Sequence, residues 1–92
     1  MTKVMLNIKK DNIYFDCENH CNNKILCNSV STLCNTLMAA TERAGFEVDI
    51  YEKGHVRIYI PKPKETTQEV FYSVLEVFKE LENQNEGEIK LY

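Results

Sequence analysis

From Thr2 to Ile8 apolar and polar side chains alternate, with Val4, Leu6 and Ile8 on one side and Lys3 and Asn7 on the other. A period of two is that of a strand with one face buried. Lys9, Lys10, Asp11 and Asn12 interrupt it with a polar turn. Ile13 to Cys17, rich in Tyr and Phe, then reads as a second strand that closes a hairpin with the first. Residues 18–24 are polar and aperiodic, which predicts a loop. Beyond them Leu26, Val30, Leu33, Leu37 and Ala44 recur at helical spacing. They predict a helix from about Ile25 to Ala44, ended by Gly45, which accepts a left-handed conformation without a Cβ clash. Phe46 to Tyr51 alternates again, Lys53-Gly54 turns the chain, and Val56 to Ile60 returns as its partner strand. Pro61 and Pro63 close that strand, because proline cannot donate to a ladder.

Thr66-Thr67-Gln68-Glu69 offers a capping box with Thr66 as the cap. Val70, Phe71, Val74, Leu75, Phe78 and Leu81 carry an apolar stripe from there to about Glu82, and Glu88 to Tyr92 is a short terminal strand after Gly87. The order ββαββαβ predicts an α+β fold, with two helices packed on one face of a mainly antiparallel sheet. The pattern leaves the strand order open.

A chain of 92 residues fits one domain, 1–92. A domain this small has a thin core, so a homodimer would add useful burial. No apolar run approaches the roughly 20 residues needed to span a bilayer, and the N-terminus has neither an apolar h-region nor a small-residue cleavage site. The expectation is therefore a cytoplasmic protein with no membrane partner. Net charge is −3, but residues 65–92 carry seven acidic side chains against two basic ones. That balance argues against a nucleic-acid partner, which needs a basic face. A solvated helix face accounts for such charge most simply, and a basic protein partner is the alternative.

Four cysteines stand at 17, 21, 27 and 34. Without a secretory signal they suggest free thiols, a metal site or a catalytic thiol rather than structural disulfides. Cys27 falls in the first turn of the first helix, where backbone N–H groups and the positive end of the dipole favour an anion and lower a thiol's pKa. Lys24 adds a positive charge nearby. Ser31 and Cys34, at i+4 and i+7, share its stripe. With His20 in the preceding loop, these are the minimum parts of a cysteine nucleophile and its base. Each has a plainer reading: small buried cysteines usually only pack, Cys34 reads as a packing residue, and a loop histidine is usually just solvated. Cys17, His20, Cys21 and Cys27 could instead ligate zinc, although the spacing C-x2-H-C-x5-C matches no common pattern and adjacent ligands would strain a tetrahedral site.

The stretch Asn19-His20-Cys21, followed by Lys24-Ile25-Leu26-Cys27-Asn28-Ser29-Val30-Ser31, resembles the ribosomal-processing cysteine protease family. Its members carry Gly-His-Ala after the second strand and open the first helix with Asp-Ile-Val-Cys-Ala-Ala-Val-Ser. Cys27, Val30 and Ser31 match residue for residue, and Ile25 and Leu26 match in type. The element order, Gly45-Phe46-Glu47-Val48 and the acidic second helix match as well, so the resemblance spans essentially the whole chain. It implies that Cys27 is the nucleophile, His20 the general base and acid, and Ser31 a supporting polar residue. Backbone N–H groups at the helix start, that of Cys27 included, would form the oxyanion hole. No metal or organic cofactor is implied. The implied substrate is a protein with an apolar N-terminal extension, either a large-subunit ribosomal protein or a phage structural protein. Three departures stand out: Asn19 replaces the family glycine, the loop from histidine to cysteine is shorter, and Lys24 replaces an acidic residue. They leave room for a catalytically silent homologue acting as a dimeric interaction module.

Overall fold

Alternation along the strands becomes alternation of burial in a computed structural model, which describes residues 1–18 and 23–92. The elements are β1 (Thr2–Ile8), β2 (Asn12–Glu18), α1 (Lys24–Arg43), β3 (Ile50–Glu52), β4 (His55–Pro61), α2 (Glu65–Gln84) and β5 (Ile89–Leu91). Val4 and Leu6 of β1, Ile13, Phe15 and Cys17 of β2, and Val56, Ile58 and Ile60 of β4 are all buried on one face of the sheet. The residues between them, among them Met5 and Tyr59, look outward. Only one face is covered, so both helices lie on it. Leu26, Val30, Leu37 and Met38 of α1 and Phe71, Val74 and Phe78 of α2 complete the core. The rings of Phe15 and Phe78 stack with centroids 6.0 Å apart and join α2 to the middle of the sheet.

The strand order is β3-β4-β2-β1-β5. β1–β2, β2–β4 and β3–β4 are antiparallel, and only β5 runs parallel to its neighbour, β1. This is the α+β fold of the expected order, in a mixed and mainly antiparallel sheet. Placing β2 at the centre has a consequence for the site, because the chain leaves the sheet from β2 directly into the segment before α1.

Two expectations are corrected. The strand expected from Phe46 shrinks to Ile50–Glu52. Gly45, at φ +91°, donates from its N–H to the Glu42 carbonyl at 3.0 Å, and the Phe46 N–H donates to the Thr41 carbonyl at 3.1 Å. These bonds form a Schellman termination of α1, so Phe46 serves the helix end and packs on the core from a loop. The capping box at Thr66 does not form either. α2 starts at Glu65, its cap position is Lys64, and no side chain bonds the first turn. The chain enters α2 through Lys62, at φ +45°, and Pro63, which starts the helix earlier than the threonines suggested.

Candidate functional site

Asn23 organises the start of α1. Its backbone is extended, and its side-chain oxygen accepts hydrogen bonds from the N–H groups of Ile25 at 2.9 Å and Leu26 at 3.2 Å. Its carbonyl accepts the N–H of Cys27 at 2.9 Å. Cys27 is therefore the first residue of α1 to make a helical hydrogen bond, and its side chain is half-buried one turn into the helix. The oxyanion hole expected at this helix start meets donors that are already engaged: the N–H groups of Ile25, Leu26 and Cys27 all bond to Asn23.

Cys27 and Ser31 line one groove of roughly 360 Å³. Its floor is made by Cys17, Val30, Cys34 and Met38, and its far wall by the β3–β4 hairpin from Tyr51 to Val56. Cys27, Ser31 and Cys34 share one helical stripe, and the groove holds all three. The hairpin wall was missed, since nothing in the pattern of residues 46–60 says which end of the sheet faces α1. His20, the expected base, and Cys21 lie outside the described residues.

Cys27 is disulfide-bonded, whereas Cys17 and Cys34 are free thiols. The zinc alternative named Cys17 and Cys27 among its ligands. Cys27 is oxidised here, and Cys17 lies beside Cys34 in the lining of the groove. Hydrogen bonding toward Cys34 is the main reason the Cys17 thiol is pushed far above its ordinary pKa, with burial adding to it. The same bond pulls Cys34 the other way, below its usual range. Of the two, Cys17 is the harder thiol to ionise. Thr2 also lines this groove. Its hydroxyl is fully buried and finds no hydrogen-bond partner among the described residues.

A second polar cluster lies on the uncovered sheet face. Asp16 accepts from Arg57 Nε at 2.8 Å and from Tyr14 Oη at 3.2 Å, and its other carboxylate oxygen is 3.2 Å from His55 Nε2. Partial burial works to raise the Asp16 pKa, but the Arg57 and His55 hydrogen bonds outweigh it and leave the carboxyl below its usual value. The ligand atoms of Asp16, Glu18 and His55 lie within 4.8 Å of one another, so in spacing they could hold a metal. Arg57 already neutralises Asp16, however, and of the three only His55 also lines the Cys27 groove.

No family model matches this chain, and no curated protein matches it. Solved structures do match in fold. The ribosomal processing protease Prp from S. aureus, in complex with a covalently linked product peptide, superimposes with TM-score 0.75 over 99% of this chain and 97% of its own, at 16% identity. The same protease in complex with a substrate peptide gives TM-score 0.75 at 13% identity, over 100% and 98% of the two chains. SMU.848 from Streptococcus mutans gives TM-score 0.74 at 21% identity, over 99% and 95%. At these identities the likeness establishes a shared fold along the whole chain.

Proposed function

We propose that residues 1–92 form one cysteine-protease domain of the ribosomal-processing type. Cys27 is the nucleophile, His20 its general base and acid, and Ser31 a supporting polar group. The reading is carried by one observation. The fold is shared end to end with a protease solved with substrate and product peptides, and Cys27 lines a groove of this chain one turn into α1, which supports the reading. In the reduced protein the Cys27 thiolate attacks the scissile carbonyl. His20 takes the thiol proton and passes it to the leaving amine, and water then hydrolyses the thioester. The helix start and Lys24 favour the thiolate. Donors for the oxyanion come from outside the first turn of α1, whose N–H groups Asn23 holds.

The substrate in this reading is a protein with an apolar N-terminal extension, from the large ribosomal subunit or a phage particle. The groove floor of Val30 and Met38 suits an apolar segment. A reducing cytoplasm would keep Cys27 competent, and a homodimer would cover part of the open sheet face. No cofactor takes part. The Cys27 disulfide favours a second reading, a silent homologue that keeps the fold as an interaction module.

Trapping separates the two. The protein is fully reduced and treated with a chloromethyl ketone built on an apolar peptide, and the adduct is mapped by mass spectrometry. The protease reading expects one adduct, on Cys27, that forms much faster than with a simple alkylating agent. Equal labelling of several cysteines at the rate of free thiols would leave the silent module.

A further inference from the structure

The groove beside Cys27 contains a second pair of sulfurs that peptide hydrolysis does not use. Cys17 ends the buried row of β2 and Cys34 sits in the middle of α1, and neither is in a disulfide. They are 6% and 5% exposed and, coming from the two layers of the fold, meet at the floor of the same groove. Both also line the groove, which gives a small reagent a route to them.

We propose that Cys17 and Cys34 are a dithiol modification site, which a two-electron oxidant of the hydrogen peroxide class converts to an intrachain disulfide joining β2 to α1. Cys34, whose ionisation the hydrogen bond from Cys17 favours, is the attacking sulfur. Its thiolate attacks one peroxide oxygen, the O–O bond breaks, and hydroxide leaves, giving a sulfenic acid on Cys34. The Cys17 sulfur then attacks the Cys34 sulfur. The S–S bond forms, the S–O bond breaks, and the departing hydroxide takes the Cys17 proton. Overall two thiols and one peroxide give one disulfide and two waters. Cys17 precedes His20 in the chain and Cys34 follows Cys27, so the crosslink ties together both ends of the segment that carries the candidate catalytic residues. The chemistry itself does not depend on the protease reading.

The test uses the full chain with Cys21→Ser and Cys27→Ser, which leaves only the pair. Reduced protein is exposed to hydrogen peroxide, alkylated and digested. The expected result is a monomer that has lost both alkylatable thiols and two hydrogens in mass, with a Cys17–Cys34 peptide link and recovery on reduction. Adding Cys17→Ser should leave a Cys34 sulfenic acid that dimedone traps. Thiols that stay alkylatable, separate sulfinic acids, or links only between chains would overturn the proposal. If the double variant does not fold, the same mapping on reduced wild-type protein decides. A Cys17–Cys34 link formed ahead of other pairings supports the site, and random pairing contradicts it.

Discussion

The Cys27 N–H donates to the Asn23 carbonyl at 2.9 Å, while the Asn23 side chain holds the two N–H groups before it. One residue thus fixes where α1 begins and therefore where the candidate nucleophile sits. Asn23→Ala should lower stability by about 1 kcal/mol, the usual cost of losing a cap. Asn23→Asp should keep the cap but place a carboxylate near Cys27. Its thiol pKa should rise, and the alkylation-rate profile of reduced protein should move to higher pH. Denaturant midpoints and an iodoacetamide pH profile check both.

Thr2 gives a prediction of the opposite sign. Its buried hydroxyl bears a desolvation cost that no hydrogen bond from the described residues offsets. Thr2→Val keeps the shape and removes that group. Stability should rise by about 1 kcal/mol, in the range for an unpaired buried polar group. A lower urea midpoint in this variant would mean that the hydroxyl is bonded in solution.

Asp16 sets an acid limit. Its carboxyl is held below the ordinary value in the folded chain, chiefly by Arg57 and His55 against the opposing effect of burial. A depressed folded pKa means that its contribution is fully present above the unfolded value of about 4 and is lost as pH falls through the folded one. Asp16→Asn should therefore be less stable than wild type near neutrality, and the gap should close below about pH 4. Urea midpoints measured down the acid range test this. A gap that persists undiminished at low pH would assign the loss to packing instead.

Much of this architecture was legible in the chain. Val4, Leu6, Ile13, Phe15, Ile58 and Ile60 alternate cleanly because only one sheet face is covered, and that made the strands and their buried side readable. The α1 stripe was readable for the same reason. Two local signals misled. Phe46 looked like the first residue of a strand, but its apolar side chain belongs to the termination of α1. Thr66 looked like a cap, but the turn through Lys62 and Pro63 starts α2 before it. At the site, the shared stripe of Cys27, Ser31 and Cys34 followed from helical spacing. The meeting of Cys17 with Cys34 in one groove and the hairpin wall did not, since both depend on which strand lies under α1, and local pattern does not encode strand order.

Cys27 is disulfide-bonded, and a sulfur in a disulfide cannot attack a carbonyl. Any peptidase activity should thus be absent from the oxidised protein and appear on adding a thiol reductant. The rate should follow the loss of the Cys27 disulfide, measured by alkylation and peptide mapping of the same samples. Equal cleavage before and after reduction would remove Cys27 from the mechanism.

The most direct measurement is cleavage of an extended ribosomal or phage protein substrate by reduced wild-type, Cys27→Ser and His20→Ala chains, followed by mass spectrometry of the products. The account predicts removal of an apolar N-terminal extension at one position by the wild type. No product should form with Cys27→Ser, whose hydroxyl does not ionise near neutrality, and His20→Ala should lose roughly 10²-fold or more, the usual scale of general acid–base help. Cleavage at the same position that survives Cys27→Ser in a purified, folded chain would contradict it.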